Sequence, residues 1–187
     1  MKPLQLFVSF VLSFFIMACA GSLRYASDYP LSAEKIRSRD GAFSGRIPQG
    51  WFFSSDDSLA PALVAWLIRD DFSATLAVRE IILDQLTRKQ IRKEGLELLA
   101  RSTIGMHGNP GGAGTGVVAE PKMFEVAGKK FCSYEVREDS ISARVVVFEG
   151  NGKYYECEAK PAKGKWTQED VMLLFTTQQT FLSTLTF

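Results

Sequence analysis

Hydrophobic and polar residues are arranged in two different ways along the chain. Residues 4–17 form an uncharged and mostly apolar run, which is preceded by a single cation, Lys2, and followed by Ala18 and Cys19. From residue 41 onward, apolar residues instead alternate with polar ones in short segments separated by Gly, Pro and Asn. Such alternation is typical of β-strands and turns, so the two parts of the chain are interpreted separately.

The alternating pattern predicts an antiparallel sheet. Residues 63–68 and 74–83 flank a polar turn and are expected to form one hairpin. Asn151 and Gly152 readily adopt the positive φ angles that a tight turn requires, so they predict a second hairpin. Altogether, strands are predicted at residues 42–47, 51–53, 63–68, 74–83, 117–126, 130–137, 141–149 and 153–160.

A central segment has the pattern of a helix start. Thr87 lies three residues before a glutamine, which predicts a capping box and a helix over residues 88–102. Leu86 and Ile91 occupy the two positions of a hydrophobic staple around this cap. Gly95 is expected to weaken the middle of the helix.

A second helix start lies near the C-terminus. Thr167 precedes acidic residues in the first turn, and apolar residues then recur at helical spacing from Val171 to Leu185. This helix is expected to cover one face of the sheet. The sequence therefore predicts a single α+β domain at residues 41–187, with an antiparallel β-sheet of about six to seven strands, a central helix and a C-terminal helix packed on it.

The N-terminal run has the charged region, apolar region and small-residue site of a secretory signal. It is shorter than the ~20 residues of a bilayer-spanning helix, which disfavours the alternative of an uncleaved transmembrane anchor. Ile16-Met17-Ala18-Cys19 resembles the cleavage and lipidation site of bacterial lipoproteins as a class. The resemblance implies that residues 1–18 are removed and that Cys19 carries a diacylglycerol and an amide-linked acyl chain, so that membrane lipid is a partner.

The residues after Cys19 bear on location and on the tether. Within the lipoprotein class, an acidic residue after the cysteine often retains a protein in the inner membrane. Ala20 therefore favours the outer membrane, facing the periplasm, if the source has two membranes. The residues that follow are largely polar and lack sustained periodicity, which predicts a flexible tether. Together with the lipidated N-terminus that the resemblance implies, this tether makes up residues 19–40. The alternative is a strand or helix docked on the body, for which the available apolar residues are Leu23, Tyr25, Leu31 and Ile36.

Charge and length narrow the classes of function. Residues 1–18 contain one of the 22 basic residues and none of the 21 acidic ones, so the remainder is neutral overall. A neutral body disfavours nucleic acid as a partner. Residues 41–187 have the length of one domain, and 46% hydrophobic residues in the whole chain suffice for a core.

Few residues are candidates for catalysis or metal binding. His107 is the single histidine of the chain, which excludes a site with several histidines. The glycine-rich segment at residues 108–116 lacks the lysine of a phosphate-binding loop and leads into a predicted strand. Glu156 and Glu158 share a strand face and are candidate paired carboxylates or cation ligands, although the solvent side of an ordinary strand is favoured. We therefore predict no enzyme activity and no catalytic, cofactor-binding or metal-binding residues.

Two cysteines remain besides the predicted lipidation site. Cys132 and Cys157 lie on predicted strands that a third strand separates. Two strand spacings are roughly 9.5 Å, which exceeds the ~7 Å limit between the Cα atoms of a disulfide. Buried, unbridged thiols are therefore predicted. A pair of either thiol with His107 is the single thiol–imidazole couple that the composition allows.

Three short motifs together resemble the PsbP-like fold family. They are IPQGW at residues 47–51, GKYYEC at residues 152–157 and FLSTLTF at residues 181–187. This family includes the photosystem extrinsic protein, a Ran-binding transport factor and many small bacterial lipoproteins. The resemblance implies an antiparallel sheet sandwiched by helices and implies no catalytic residues.

Two hypotheses of function remain open. The first is a membrane-anchored lipoprotein of the cell envelope that acts as a non-enzymatic binding or assembly module with an envelope protein partner. The second is a periplasmic small-molecule-binding or hydrolytic protein with a pocket near residues 107–116. Trp51 and Trp66 are the first residues to examine under either hypothesis, and packing in the core is the alternative for both.

Overall fold

The structure, a computed structural model, describes residues 28–54, 62–107, 115–138, 141–162 and 164–187. Within these ranges the chain forms nine strands and three helices. The strands are β1 Leu31–Arg37, β2 Ser44–Pro48, β3 Trp51–Ser54, β4 Leu63–Arg69, β5 Ala74–Ile81, β6 Thr115–Val126, β7 Lys129–Glu138, β8 Ile141–Gly150 and β9 Lys153–Pro161. The helices are α1 Gln85–Glu94, α2 Leu96–His107 and α3 Gln168–Ser183.

Seven strands form one antiparallel sheet in the order β3-β4-β5-β9-β8-β7-β6. The predicted α+β fold is therefore confirmed, as are the β4–β5 hairpin and the turn at Asn151 and Gly152, which have φ angles of 51° and 72°. We call the end of the sheet that carries the β4–β5 turn and the start of α3 the upper end. The end that carries the β8–β9 turn is the lower end.

β1 and β2 form a separate two-stranded sheet on the α3 side of the body. β1 pairs antiparallel with β2, and Ile36 is buried in the same core as residues of α3. β1 has little apolar alternation, because Ile36 is its single fully buried side chain. This finding corrects the predicted tether: residues 31–37 form a docked strand, which was the alternative for this segment. Residues 1–27, with the predicted signal and Cys19, lie outside the described residues.

The large sheet has an apolar core on each face. On one face, α3 and the β1–β2 sheet enclose a cluster that includes Phe43, Phe148 and Phe181. On the other face, α1 and α2 cover a cluster that includes Leu99 and Tyr134. Because successive residues of a strand point to opposite faces, the strands in the middle of the sheet supply apolar side chains to both cores.

The helical region between β5 and β6 differs from the prediction in its cap and its continuity. Asp84 is the N-cap of α1, and its carboxylate accepts hydrogen bonds from the backbone N–H groups of Leu86 and Thr87. Leu86 is 71% exposed, so the predicted staple onto Ile91 does not form. Gly95 has a φ of 91°, which favours glycine and separates α1 from α2. None of the three helices, within the described residues, is long and apolar enough to cross a membrane.

The predicted start of α3 at Thr167 is confirmed, and a capping box forms there. Thr167 Oγ1 accepts a hydrogen bond from Asp170 N at 3.2 Å, and the Asp170 carboxylate accepts one from Thr167 N at 3.0 Å. Farther along the helix, the fully buried Gln178 donates from Nε2 to the carbonyl oxygens of Arg144 and Cys157, at 3.2 and 2.7 Å. The cap and the glutamine fix both the start of α3 and its position on the sheet.

Candidate functional site

The second hypothesis places a pocket near residues 107–116, and most of these residues lie outside the described ranges. His107 is the last residue of α2, and nothing is described of its side chain. The glycine-rich segment at residues 108–114 also falls outside those ranges. A pocket built from this segment therefore stays a prediction.

The two remaining thiols are buried and unbridged, as predicted. Cys132 lies opposite Val147 of β8, whereas Cys157 lies opposite Val146 of the same strand, so the two cysteines point to opposite faces of the sheet. Burial raises the pKa of Cys132 to about 11 and that of Cys157 to about 12. Both groups are therefore protonated thiols near neutral pH, which are poor nucleophiles.

Glu156 and Glu158 share a face, but this face is not the solvent side of an ordinary strand. Glu156 is 7% exposed, and Arg79 on the neighbouring β5 lies between the two carboxylates. Arg79 Nη1 is 2.9 Å from Glu158 Oε2 and 3.6 Å from Glu156 Oε1. Burial alone would lower the pKa of Arg79, yet the two glutamates outweigh it and raise the pKa. The expectation of a solvent-facing pair was wrong because α1 and α2 cover part of this face.

Metal binding has no candidate within the described part of the chain. Its His, Cys, Asp and Glu side chains form no group of three or more that could hold a metal ion. The Arg79–Glu156–Glu158 cluster contains its own cation, so its carboxylates are arranged as ion pairs.

A groove lies at the upper end of the sheet, between the first two turns of α3 and the upper parts of β6, β7 and β8. We call it the α3 groove, and its volume is about 520 Å³. Its apolar lining consists of Val118, Ile141, Pro161, Trp166, Val171, Met172 and Phe175. Its polar lining includes Glu135, Arg137, Ser142, Thr167 and Gln168.

The groove is open beside the first two turns of α3 because the helix packs on the body mainly through its later residues. The helix is fixed to the body through Leu174, Gln178 and Phe181, each of which is at most 2% exposed. The floor beneath the groove is filled by Arg144 of β8, which is 4% exposed. Its guanidinium lies 5.7 Å from the ring centroid of Phe175 and 5.2 Å from that of Phe124, two cation–π contacts that pack the charged group beneath the groove.

The walls of the groove expose large apolar side chains. Met172 is 61% exposed and Val118 is 46% exposed. Val118 belongs to β6, which is the last strand of the sheet order and is irregular between Val117 and Lys122. Such irregularities protect an edge strand against pairing with other chains, so a partner is expected to contact its side chains. The sequence contains no signal for this groove, because its lining comes from distant segments.

The two tryptophans singled out from the sequence have different environments. Trp51 is 6% exposed and belongs to the core on the α3 side. Trp66 is half-buried and lies on the opposite face, beside Ala77. Packing in the core therefore accounts for Trp51, and Trp66 borders a surface that the helices leave open.

The fold is similar to those of two solved structures. Over 82% of this chain and 91% of the other, it matches the cyanobacterial PsbP protein, CyanoP, of Synechocystis sp. PCC 6803, with 10% identity and a TM-score of 0.51. Over 83% of this chain and 95% of the other, it matches the Ran-binding protein Mog1p of Saccharomyces cerevisiae, with 9% identity and a TM-score of 0.52. No protein-family model and no curated protein matches the sequence.

These identities are low enough that the likeness concerns the fold alone. What is shared is the overall fold, which in this chain is a seven-stranded antiparallel sheet with helices on both faces. The resemblance inferred from the three motifs is therefore confirmed at the level of architecture: the chain has a PsbP-like fold.

Proposed function

We propose that this protein is a non-enzymatic binding module of the bacterial cell envelope, anchored to the membrane by lipid on Cys19, which holds a protein partner in the α3 groove. In a source with two membranes, the anchor is in the outer membrane and the body faces the periplasm. The role is to keep the partner close to the membrane surface.

The exposure of Met172 and Val118 carries the proposal. Each large apolar side chain left in water forgoes stabilisation that burial would provide, roughly 25 cal/mol for each Å² of apolar surface. Met172 and Val118 both line a concave surface that also carries Glu135 and Arg137. An apolar centre with polar side chains at its margin is the usual composition of a protein interface.

The protonated state of the two described thiols and the ion pairing of the two glutamates of β9 support a binding role. The two buried thiols have raised pKa values, and Arg79 pairs with both glutamates of β9. Mog1p, which has a similar fold, is a Ran-binding protein, and this supports the view that the fold serves as a binding module.

The anchor is tested by measuring the intact mass of the protein purified from membranes. A mature chain that begins at Cys19 and carries acyl chains is expected, and a Cys19→Ala variant should remain unprocessed. An unmodified chain that retains residues 1–18 would contradict the proposed anchor, whatever the groove binds.

The groove is tested by site-specific photocrosslinking in intact cells. A photoreactive amino acid replaces Met172 in one strain and Leu173 in another. Leu173 is 48% exposed on the same helix but does not line the groove, so it is a matched control. We expect a discrete protein adduct at position 172 alone, lost when Val118→Lys places a charge in the groove. Equal adducts at both positions, or an adduct that survives Val118→Lys, would contradict docking in the groove.

A further inference from the structure

Two hairpins of the large sheet diverge at its lower end. β7 and β8 are paired in register as far as Cys132 and Val147. Among the described residues, no register pair joins these two strands below that point, although β7 continues to Lys129 beside β6 and β8 continues to Gly150 beside β9. The divergence leaves a cleft of about 620 Å³ between the β6–β7 and β8–β9 hairpins, which we call the hairpin cleft.

The lining of the hairpin cleft is mainly apolar. Phe131 and Phe148 are each 1% exposed and lie at its base, with their ring centroids 5.8 Å apart. Met123 and Phe187 also line the cleft, but they are 42% and 43% exposed. Leu96, at the start of α2, is a half-buried part of the same lining. Because burial of the exposed apolar surface would be favourable, the cleft suits a ligand with an apolar part.

Three charged side chains line the cleft, and two of them are positive. They are Lys129, Lys130 and Glu149. Lys129 Nζ donates to the carbonyl oxygen of Ser183 at 3.2 Å, a contact that does not neutralise its charge. Lys130 is exposed and forms no ion pair within the described part of the chain, and Glu125, its register partner on β6, does not line the cleft. The lining therefore has a net positive charge, which favours an anionic group in the ligand.

Lys130 lies on the same face of the sheet as Met123. Phe131, the next residue along β7, packs in the core on the α3 side, so the alternation of a strand places Lys130 on the side of α1 and α2. Met123 is the register partner of Cys132, whose side chain belongs to the core on that same side. A ligand on this face therefore meets a positive group and an apolar surface together, which is the combination that an anionic amphiphile requires.

We propose that the hairpin cleft binds the acyl chain of a phospholipid, with the lipid phosphate at Lys130. The chain lies against Met123 and Leu96 and reaches the aromatic rings at the base of the cleft. Lys130 Nζ donates to a phosphate oxygen in a charge-assisted hydrogen bond. The volume of about 620 Å³ is within the range of small-molecule sites, roughly 300–1,000 Å³. This site is separate from the α3 groove, which lies at the upper end of the sheet.

The faces of the cleft disfavour a peptide strand as the ligand. The open strand edges are short, consisting of residues 129–131 on β7 and 148–150 on β8. A peptide paired with either edge would point side chains to both faces of the sheet. On the α3 side, the ring of Phe187 is so close to Gly150 that a Cβ there would lie 2.3 Å from it, and on the other side Leu96 lines the cleft. An unbranched acyl chain has no side groups that require this space.

The proposal is tested with the full chain in a fluorinated surfactant, whose tail mixes poorly with hydrocarbon and so competes little for the cleft. The probes are lysophosphatidylglycerol and lysophosphatidylethanolamine, each with a photoreactive diazirine in its acyl chain. The same acyl chain on a trimethylammonium head group tests the need for the phosphate, and an apolar peptide with a diazirine tests the alternative ligand. Photolabelling at increasing probe concentration measures the affinity, and peptide mass spectrometry locates the adduct.

Both lysophospholipids are expected to label the lining of the cleft, because they share the acyl chain and the phosphate. The ratio of their affinities shows which head group the site favours. Lys130→Glu and Met123→Glu should each weaken the affinity by about tenfold or more. Lys93→Glu and Leu86→Glu are the matched controls, because both side chains are exposed on α1 and neither lines the cleft. Urea denaturation of each variant identifies any that fails to fold.

Three results would overturn the proposal. One is that neither lysophospholipid labels the cleft, and another is that labelling there is unchanged in both Lys130→Glu and Met123→Glu. The third is that the trimethylammonium probe or the peptide labels the cleft at least as strongly as the lysophospholipids. None of these results bears on the α3 groove or on the anchor, because crosslinking at position 172 and the intact mass test those separately.

Discussion

Asp40 joins the turn between β1 and β2 to the β8–β9 hairpin at the lower end of the sheet. Its carboxylate accepts hydrogen bonds from Lys153 Nζ and Tyr155 OH, both at 2.9 Å, and from Ala42 N at 3.1 Å. Lys153 Nζ also donates to Glu80 Oε2 at 3.0 Å. The cluster therefore connects the small sheet to β9 and β5, and Asp40→Asn is the variant that removes its central charge while keeping its shape.

The pKa of Asp40 sets the size of the expected effect. Burial would raise this pKa, but hydrogen bonds from Lys153, Ser38, Ala42 and Tyr155 outweigh burial and lower it from 3.8 to about 2. At about 1.4 kcal/mol for each pKa unit, the lowering corresponds to roughly 2–3 kcal/mol of unfolding free energy. Lys153 is 38% exposed, so solvent screening reduces the expected contribution to about 1–2 kcal/mol.

The sign of the pH dependence follows from the direction of the pKa change. The folded protein holds Asp40 ionised more strongly than the unfolded chain does, so the stabilisation is fully present above about pH 4. It is lost as the pH falls from about 4 to about 2, because the folded protein then also binds the proton. Asp40→Asn should therefore lower the free energy of unfolding by about 1–2 kcal/mol at pH 7 and by progressively less below pH 4.

Urea denaturation at pH 7, 4, 3 and 2.5, followed by tryptophan fluorescence, measures this difference. Asp70→Asn is the matched control, because Asp70 is an exposed aspartate in the β4–β5 turn at the upper end of the sheet. The reasoning is refuted if Asp40→Asn is as stable as the native chain at pH 7. It is also refuted if the difference between the two proteins stays constant down to pH 2.5.

Two further outcomes are expected in the core. Gln178→Leu should lower the free energy of unfolding, measured by urea denaturation, by about 2–4 kcal/mol, because two buried carbonyl oxygens lose their donor. A loss below about 0.5 kcal/mol would show that these hydrogen bonds do not hold α3 on the sheet. In a Cys19→Ala protein at pH 8, Cys132 and Cys157 should stay unlabelled by a maleimide until urea unfolds the chain, because burial raises the pKa of both thiols. Rapid labelling of one thiol per folded molecule would contradict that assignment.

Local patterns in the sequence predicted every described strand except β1, and one of the two caps. Thr167 was identified correctly because its partner, Asp170, lies only three residues away. Thr87 satisfies the same local rule, yet Asp84 begins the helix because its carboxylate reaches two backbone N–H groups at once. When two nearby residues both suit a cap, the sequence alone does not decide between them.

Local sequence patterns could not predict the features that depend on strand register. Arg79 meets Glu156 and Glu158 only because β5 pairs with β9, and the sequence places these residues far apart. The docked strand β1 was missed for a different reason. Because only Ile36 of this strand is fully buried, the segment has no apolar alternation to distinguish it from a tether.

The central place of β9 has a consequence for the order of folding. β9 pairs with β5 on one side and β8 on the other, so it joins two parts of the sheet that have no other registered pairing between them. The β5–β9 pairing joins segments far apart in the chain and forms slowly, whereas β8 and β9 form a local hairpin. The facing edges of β5 and β8 therefore stay open until β9 is available. A chain exported from its N-terminus would thus reach the far side of a membrane before its sheet closes. If the proposed signal directs export, this late closure would suit passage in an unfolded state, because β9 would be among the last strands to cross.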